Sequence, residues 1–278
     1  MGLTLDKRKE ILYELGADSK DIDRLLAYTS NVFAYQPTLE DESFLLRWFP
    51  LLTEAEHIGA ATAINKYLVR NDLQINFKAP EAVKVEIFDS FSGKIPIISA
   101  HLDDDFESLV QNIVFKDKPY PHIKAQGAQF VHGENNRFII LSHKPYSNTP
   151  SEVMELDCDL WREKSYTIRK HHECTHLYTN QNFGSAKNNL HDELIADFCG
   201  IWAAFSEYRA DYFIKFLAQG RLKIYVEGLN STSVTVIEKL AHIAAIWIEK
   251  WSKSESFTHL TELERIDFLC RKELLSYV

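Results

Sequence analysis

The chain begins with the period of a helix. Leu5, Ile11, Leu12 and Leu15 form one apolar stripe, Gly16-Ala17-Asp18-Ser19 stops it and starts another, and Ile22, Leu25 and Leu26 continue it. Thr38-Leu39-Glu40-Asp41-Glu42 reads as a capped helix start, ended or kinked by Pro50. Residues 53–70 predict a strong helix with Ala60, Ile64, Tyr67 and Leu68 on its apolar side, weakened only at Gly59. The period then changes to two. Val83, Val85 and Ile87 alternate with Lys84 and Glu86, which predicts a strand. Ile95-Pro96-Ile97-Ile98 predicts a second, placed by its proline at an edge or a strand start. Asp103-Asp104-Asp105 precedes a helix through Val114 and reads as a helix N-terminal feature rather than a calcium site. Residues 126–132 and 137–143 predict a hairpin turning at Gly133-Glu134-Asn135-Asn136.

After a loop at 144–155, the pattern is helical to the end. A helix is expected from about Trp161 or Glu163 to Tyr178, then a connecting loop at 180–189. Helices at 190–206, 208–218, 231–253 and 258–276 follow, broken at Gly220 and at Gly228-Leu229-Asn230. Asn230 or Ser231 is the expected N-cap, and Ile243, Ile246, Trp247 and Trp251 form an expected core stripe. The fold class is therefore α+β, in three stretches. Residues 1–75 are a helical N-terminal region, 76–150 a small α/β region with a mixed sheet, and 151–278 a helical region.

The chemistry concentrates in the last region. His172-Glu173-Cys174-Thr175-His176 is an H-E-x-x-H pattern, and on a helix residues four apart share a face, so both imidazoles can reach one ion. Zinc accepts imidazole nitrogen and carboxylate oxygen, and a hydrolytic site keeps one position for water. Glu173 lies about 100° round the helix from His172, where it can act as general base on that water. The stretch 190–206 is apolar almost all round and should be buried. Glu193 and Asp197 fall on one of its faces, and burying them without partners would cost several kcal/mol. Gly200 and Ala204 nearby let a second helix approach closely.

H-E-x-x-H followed by a helix carrying E-x-x-x-D resembles the gluzincins, the thermolysin-like zinc metallopeptidases, over roughly residues 165–205. The resemblance implies a zincin-like fold. It makes His172, His176 and Glu193 the ligands of one zinc ion per chain, and Glu173 the base. Asp197 would hydrogen-bond the first zinc histidine. It also implies that an edge strand before the metal helix binds the substrate backbone, a role for which the 126–143 hairpin is the candidate, beside the plainer reading as an internal hairpin. Two departures stand out. The interval from Leu177 to Asp192 is short for the family, and its downstream oxyanion-stabilising histidine has no identifiable counterpart. Tyr178, His191, Tyr208, Tyr212, Tyr225 and His242 are the candidate donors, with His171 only a flanking residue.

Other readings compete for these residues. The metzincin extension fails at Thr179 and Asn182, and no P-C-x-x-C follows to complete a deaminase signature. A carboxylate-bridged di-iron oxidase could be built from Glu173-x-x-His176 and Glu54-x-x-His57. A non-catalytic zincin-like module, with the metal locking two helices together, is the other alternative, and ordinary surface or capping histidines the plainest.

The balance of 31 Lys and Arg against 40 Asp and Glu, net −9, argues against nucleic acid as a partner. The apolar runs are too short to cross a membrane, and residues 1–8 hold no apolar signal segment, so a cytoplasmic protein is expected. Cys158, Cys174, Cys199 and Cys270 form no C-x-x-C and read as buried free thiols. The expected partner is a peptide or protein substrate; the oligomeric state is not written in the sequence.

Overall fold

In the computed structural model, which describes residues 2–30, 33–37, 42–116, 118–133, 136–184 and 189–278, Thr4 caps the first helix by accepting from the Lys7 N–H. Helix α1 (Leu5–Glu14) and helix α2 (Ile22–Thr29) follow the predicted stripe and bury Ile11, Leu12, Ile22, Leu25 and Leu26. The helix start expected at 38–42 lies outside the described residues except for Glu42. The fold is α+β. The chain divides into two compact units, one of residues 39–174 and one of residues 1–38 with 175–278.

Within 39–174, a four-stranded sheet runs in the order β1-β2-β4-β3. Strands β1 (Val83–Ser90) and β2 (Gly93–Ala100) form an antiparallel hairpin. After β2 come helix α5 (Asp103–Leu109) and a π-helical continuation, Val110–Phe115. Strands β3 (Ala128–Gly133) and β4 (Asn136–Ser142) then form the expected antiparallel hairpin; Glu134 and Asn135 of its turn lie outside the described residues. Strand β4 pairs with β2 in parallel, so the sheet is mixed and β2 is internal. Pro96 is thus not at an edge. It stands just before the positions 97–100 that pair with β4, so its missing N–H costs that ladder nothing.

One face of this sheet packs Val83, Ile98, Ala100, Phe138 and Ile140 into a core with Trp48, Leu51, Ile64, Phe106 and Leu109. The helices above it correct the sequence reading. The predicted helix 53–70 is two, α3 (Phe49–Ile58) and α4 (Ala60–Tyr67), broken at Gly59, whose φ of 83° and ψ of 149° only glycine adopts readily. Pro50 opens α3 rather than ending a helix, because a first-turn proline loses no hydrogen bond. Asp105 is buried and accepts from the backbone N–H groups of Lys78 and Ala79, a structural use of the acidic cluster.

The loop at 144–155 contains a short helix, α6 (Ser151–Met154). Helix α7 (Cys158–Phe183) is longer than expected at both ends, so residues 180–183 are helix and not loop. Residues 185–188 of the expected loop lie outside the described residues. The Trp161 indole donates to the Thr149 carbonyl, and the Ser92 hydroxyl to the Cys174 carbonyl. Arg169 donates to the carbonyls of Ser142 and Lys144 at 2.9 and 3.1 Å. Its guanidinium lies against Gly127, where any Cβ would collide with it.

The chain enters the other unit inside α7. There α8 (Leu190–Phe205) begins at Asn189, whose side chain accepts from the N–H groups of His191 and Asp192. Every residue of 190–201 is buried, as its apolar circumference predicted. Helix α9 (Ala210–Phe216), a π-helical Leu217–Arg221 and helix α10 (Leu222–Tyr225) follow, with Gly220 non-helical at φ 97°. Asn230 caps α11 (Ser231–Ser252). The expected last helix is instead α12 (Glu255–Thr258), α13 (Glu262–Cys270) and a 3-10 turn, because Thr261 and Glu264 form a capping box that starts a new helix. The stripe on α11 is core at Trp251 but exposed at Ile246. Cys174, Cys199 and Cys270 are buried free thiols, whereas Cys158 is exposed.

The N-terminal helices belong to this unit through specific bonds. Lys239 donates to the Leu15 carbonyl, Asn230 to the Asp21 carboxylate, and Tyr28 to the Tyr225 carbonyl. Among the described residues, no helix is long and apolar enough to cross a membrane.

Candidate metal centre

Four residues separate His172 from His176 on α7, and the helical period puts both on one face. Asn189 starts α8 so that Glu193 lies in its first turn. One ligand atom each from His172, His176 and Glu193 lies within 4.8 Å of the others, with His172 and Glu193 buried. The group could hold a metal ion. Nε2 of His176 and Oε1 of Glu193 are 3.6 Å apart. Tetrahedral zinc with bonds of about 2.0–2.1 Å separates its ligand atoms by about 3.3–3.4 Å, so this pair needs almost no adjustment.

The atoms facing away from the cluster have partners that set the ligands' orientation. The Tyr146 hydroxyl stands 2.8 Å from Nδ1 of His172, so the ring offers Nε2 to the cluster. Asp192, fully buried, has Oδ2 3.4 Å from Nδ1 of His176, while its Oδ1 accepts from the Thr179 hydroxyl. That Oδ2 has no hydrogen bond among the described residues. A buried carboxylate oxygen left in this way is costly. The nearest ring nitrogen is Nδ1 of His176 at 3.4 Å; a proton there would answer it after a small turn of the ring, and that tautomer leaves Nε2 bare for a metal. The donor set therefore fits an ion such as zinc.

Glu193 divides its two oxygens. Oε1 faces His176, and Oε2 accepts from Nη2 of Arg221 at 2.7 Å and from the Tyr225 hydroxyl at 3.0 Å. Nη1 of Arg221 donates to Oδ2 of Asp197 at 2.8 Å, and its Nε donates to the Tyr225 oxygen at 2.6 Å. Asp197 is fully buried and is answered by a cation, as the sequence required. Burial, with the Glu193 and Asp197 charges behind it, pushes the Tyr225 phenol well above its usual range against the opposing Arg221 charge.

Glu173 is half-buried on α7 and has no hydrogen bond or ion pair with the described residues. His171 packs edge-on to Phe88, near Phe91, and burial lowers its pKa to about 4. Among the six candidate oxyanion donors, Tyr225 donates to Glu193 of the cluster. Tyr178 instead donates to Asp267, His191 meets the Tyr277 hydroxyl, and Tyr212 accepts from Arg209. Glu54 accepts from Lys66 and Tyr67, which occupy the carboxylate that a di-iron site would need.

Tyr146, Asp192 and Arg221 were not singled out from the sequence. Asp192 carried one signal, its place beside Glu193 in the first turn of a buried helix. Arg221 carried another, following the Gly220 break in a helical half. Tyr146 sits in a stretch read as loop and gave none.

No curated protein and no solved structure matches the chain. Residues 69–137 and 135–277 match the model of a family of unknown function, DUF7005. That match spans most of the sequence, and the chain belongs to this family.

Proposed function

We propose that the protein is a zinc-dependent metallopeptidase of zincin-like fold, with His172, His176 and Glu193 holding one zinc ion and Glu173 serving as general base. The observation that carries this reading is the convergence of these three ligand groups with the H-E-x-x-H carboxylate next to them in sequence and unpaired with the described residues. Zinc at this position would supply Lewis acidity to water and to the scissile carbonyl. Glu173 then takes the proton of the attacking water and returns it to the leaving amine. Tyr146 and Asp192 keep the two imidazoles in the tautomer that presents Nε2.

The strands support the same reading. Among the described residues, strand β3 ends the sheet beside β4, which offers its outer edge as the candidate for pairing with an extended peptide. Arg169, three residues before His172, ties α7 to the end of β4 and to the loop beyond it. In this reading the bond that the resemblance assigned to Asp197 at His172 is supplied at Nδ1 by Tyr146, and Asp197 serves the site through Arg221.

The test is a peptide-library screen of the wild type and Glu173→Gln, with zinc measured in both. Each should carry one zinc per chain, and cleavage should fall by about 10²–10⁴-fold in the variant. Cleavage at an equal rate would remove Glu173 from the mechanism. A wild type that binds zinc through four protein ligands and cleaves nothing would favour the non-catalytic module.

A further inference from the structure

The split of the Glu193 carboxylate carries an inference about its neighbour, one that rests on the metal-site reading above. A carboxylate can grip a metal ion through one oxygen or both. Here Oε2 already accepts two hydrogen bonds, from Arg221 and Tyr225, while Oε1 is turned to His176. The same guanidinium reaches Asp197, one helical turn further along α8, and feeds the Tyr225 hydroxyl through Nε. We propose that Arg221 is a positioning residue of the metal centre: with Tyr225 it occupies Oε2, so that Glu193 binds the ion through Oε1 alone, and it locks that carboxylate to Asp197.

The chemistry of the side chain suits the task. A guanidinium is a planar fork with donors in fixed directions and cannot lose its proton, so it can bridge two carboxylates. A lysine has the charge but no fork. The backbone is shaped for the placement. Gln219 and Gly220 leave the helical region, and Arg221 resumes at the start of α10, one turn before Tyr225 and on its face. Arg221, Tyr225, Glu193 and Asp197 then close a chain of charge-assisted bonds among largely buried side chains, where such bonds reinforce one another.

A purely structural ion pair would lower stability when broken and leave a bound metal unaffected. The experiment is therefore read at the metal. Zinc affinity is measured by chelator competition, and the visible spectrum of the cobalt(II)-substituted protein reports ligand number and geometry. Two variants are compared with the wild type: Tyr225→Phe, which removes one donor to Oε2 and keeps both Arg221 pairs, and Arg221→Lys combined with Asp197→Asn, which avoids stranding a buried charge. Both should still take one metal per chain at saturation, with affinity lower by about 10–100-fold and a shifted cobalt band. Folded variants with wild-type affinity and an unchanged cobalt spectrum would overturn the role of Arg221. A wild type that binds neither zinc nor cobalt would instead remove the metal centre itself, and this role with it.

Discussion

Tyr146 reaches the site from a segment with no helical or strand pattern, yet its hydroxyl fixes the ring of His172. Replacing it with phenylalanine keeps the ring and removes one hydrogen bond. Zinc affinity should fall by about 10–100-fold, whereas His172→Ala, which removes a ligand, should all but abolish binding. Equal losses in the two variants would contradict the division into ligand and orienter. His143 gives a prediction on pH. Burial, with the neighbouring His101 charge behind it, lowers its pKa to about 4, and it stacks on Tyr166 at 4.5 Å. The folded state thus binds this proton less readily than the unfolded chain, whose histidine titrates near 6.5. Its contribution to stability is nearly complete above that value and is lost progressively as pH falls towards 4. Denaturant unfolding at pH 7 and pH 5 should show the loss, and His143→Asn should reduce the difference. His172 and His176 of the group that could hold a metal ion were legible because H-E-x-x-H is a local, helix-period signal. Tyr146, Asp192 and Arg221 were not, because their roles depend on where one element's side chains meet another's.

Elements followed the hydrophobic period closely where the chain is regular and departed from it at single residues. The periodicity of 53–70 runs unbroken through Gly59, since burial on one face is compatible with two short helices as well as one. Only the backbone torsions separate them. Gly59→Ala places a Cβ where L-residues are strained, and nothing lies within 4 Å to clash with it. The cost should thus be conformational alone, about 1–3 kcal/mol, seen as a lower melting temperature with zinc content unchanged. A variant as stable as the wild type would mean that α3 and α4 can fuse. The four strands were readable from alternation in β1 and from apolar runs and turn residues in the others, but the parallel pairing of β2 with β4 was not, because Ile97 and Ile139 are partners across the intervening α5 and the whole of β3. Helix α8 was the clearest element of all. Its apolar circumference predicted burial, and burial predicted that its carboxylates had partners.

At the scale of the molecule, residues 1–38 fall in one compact unit with 175–278. The sequence could not reveal this, since an amphipathic stripe states that a helix needs a partner but not which one. Removing residues 2–30 would strip Leu12, Ile22 and Leu25 from their core and break the bonds from Leu15, Asp21 and Tyr28 to the C-terminal helices. Hydrogen exchange should then speed up in 190–278 well before it does in the sheet of 83–142. Uniform acceleration would show that the two units open together. The same division has a consequence for how the protein is made. Residues 1–38 leave the ribosome before 39–174, and their partners follow only after the whole of that stretch, roughly 7–30 s later at ordinary synthesis rates. During that interval the apolar stripes of α1 and α2 have only each other for native cover, while the sheet-bearing unit can be completed. The nascent chain therefore presents these stripes to whatever chaperone is nearest until the helices of 190–278 emerge to take them back.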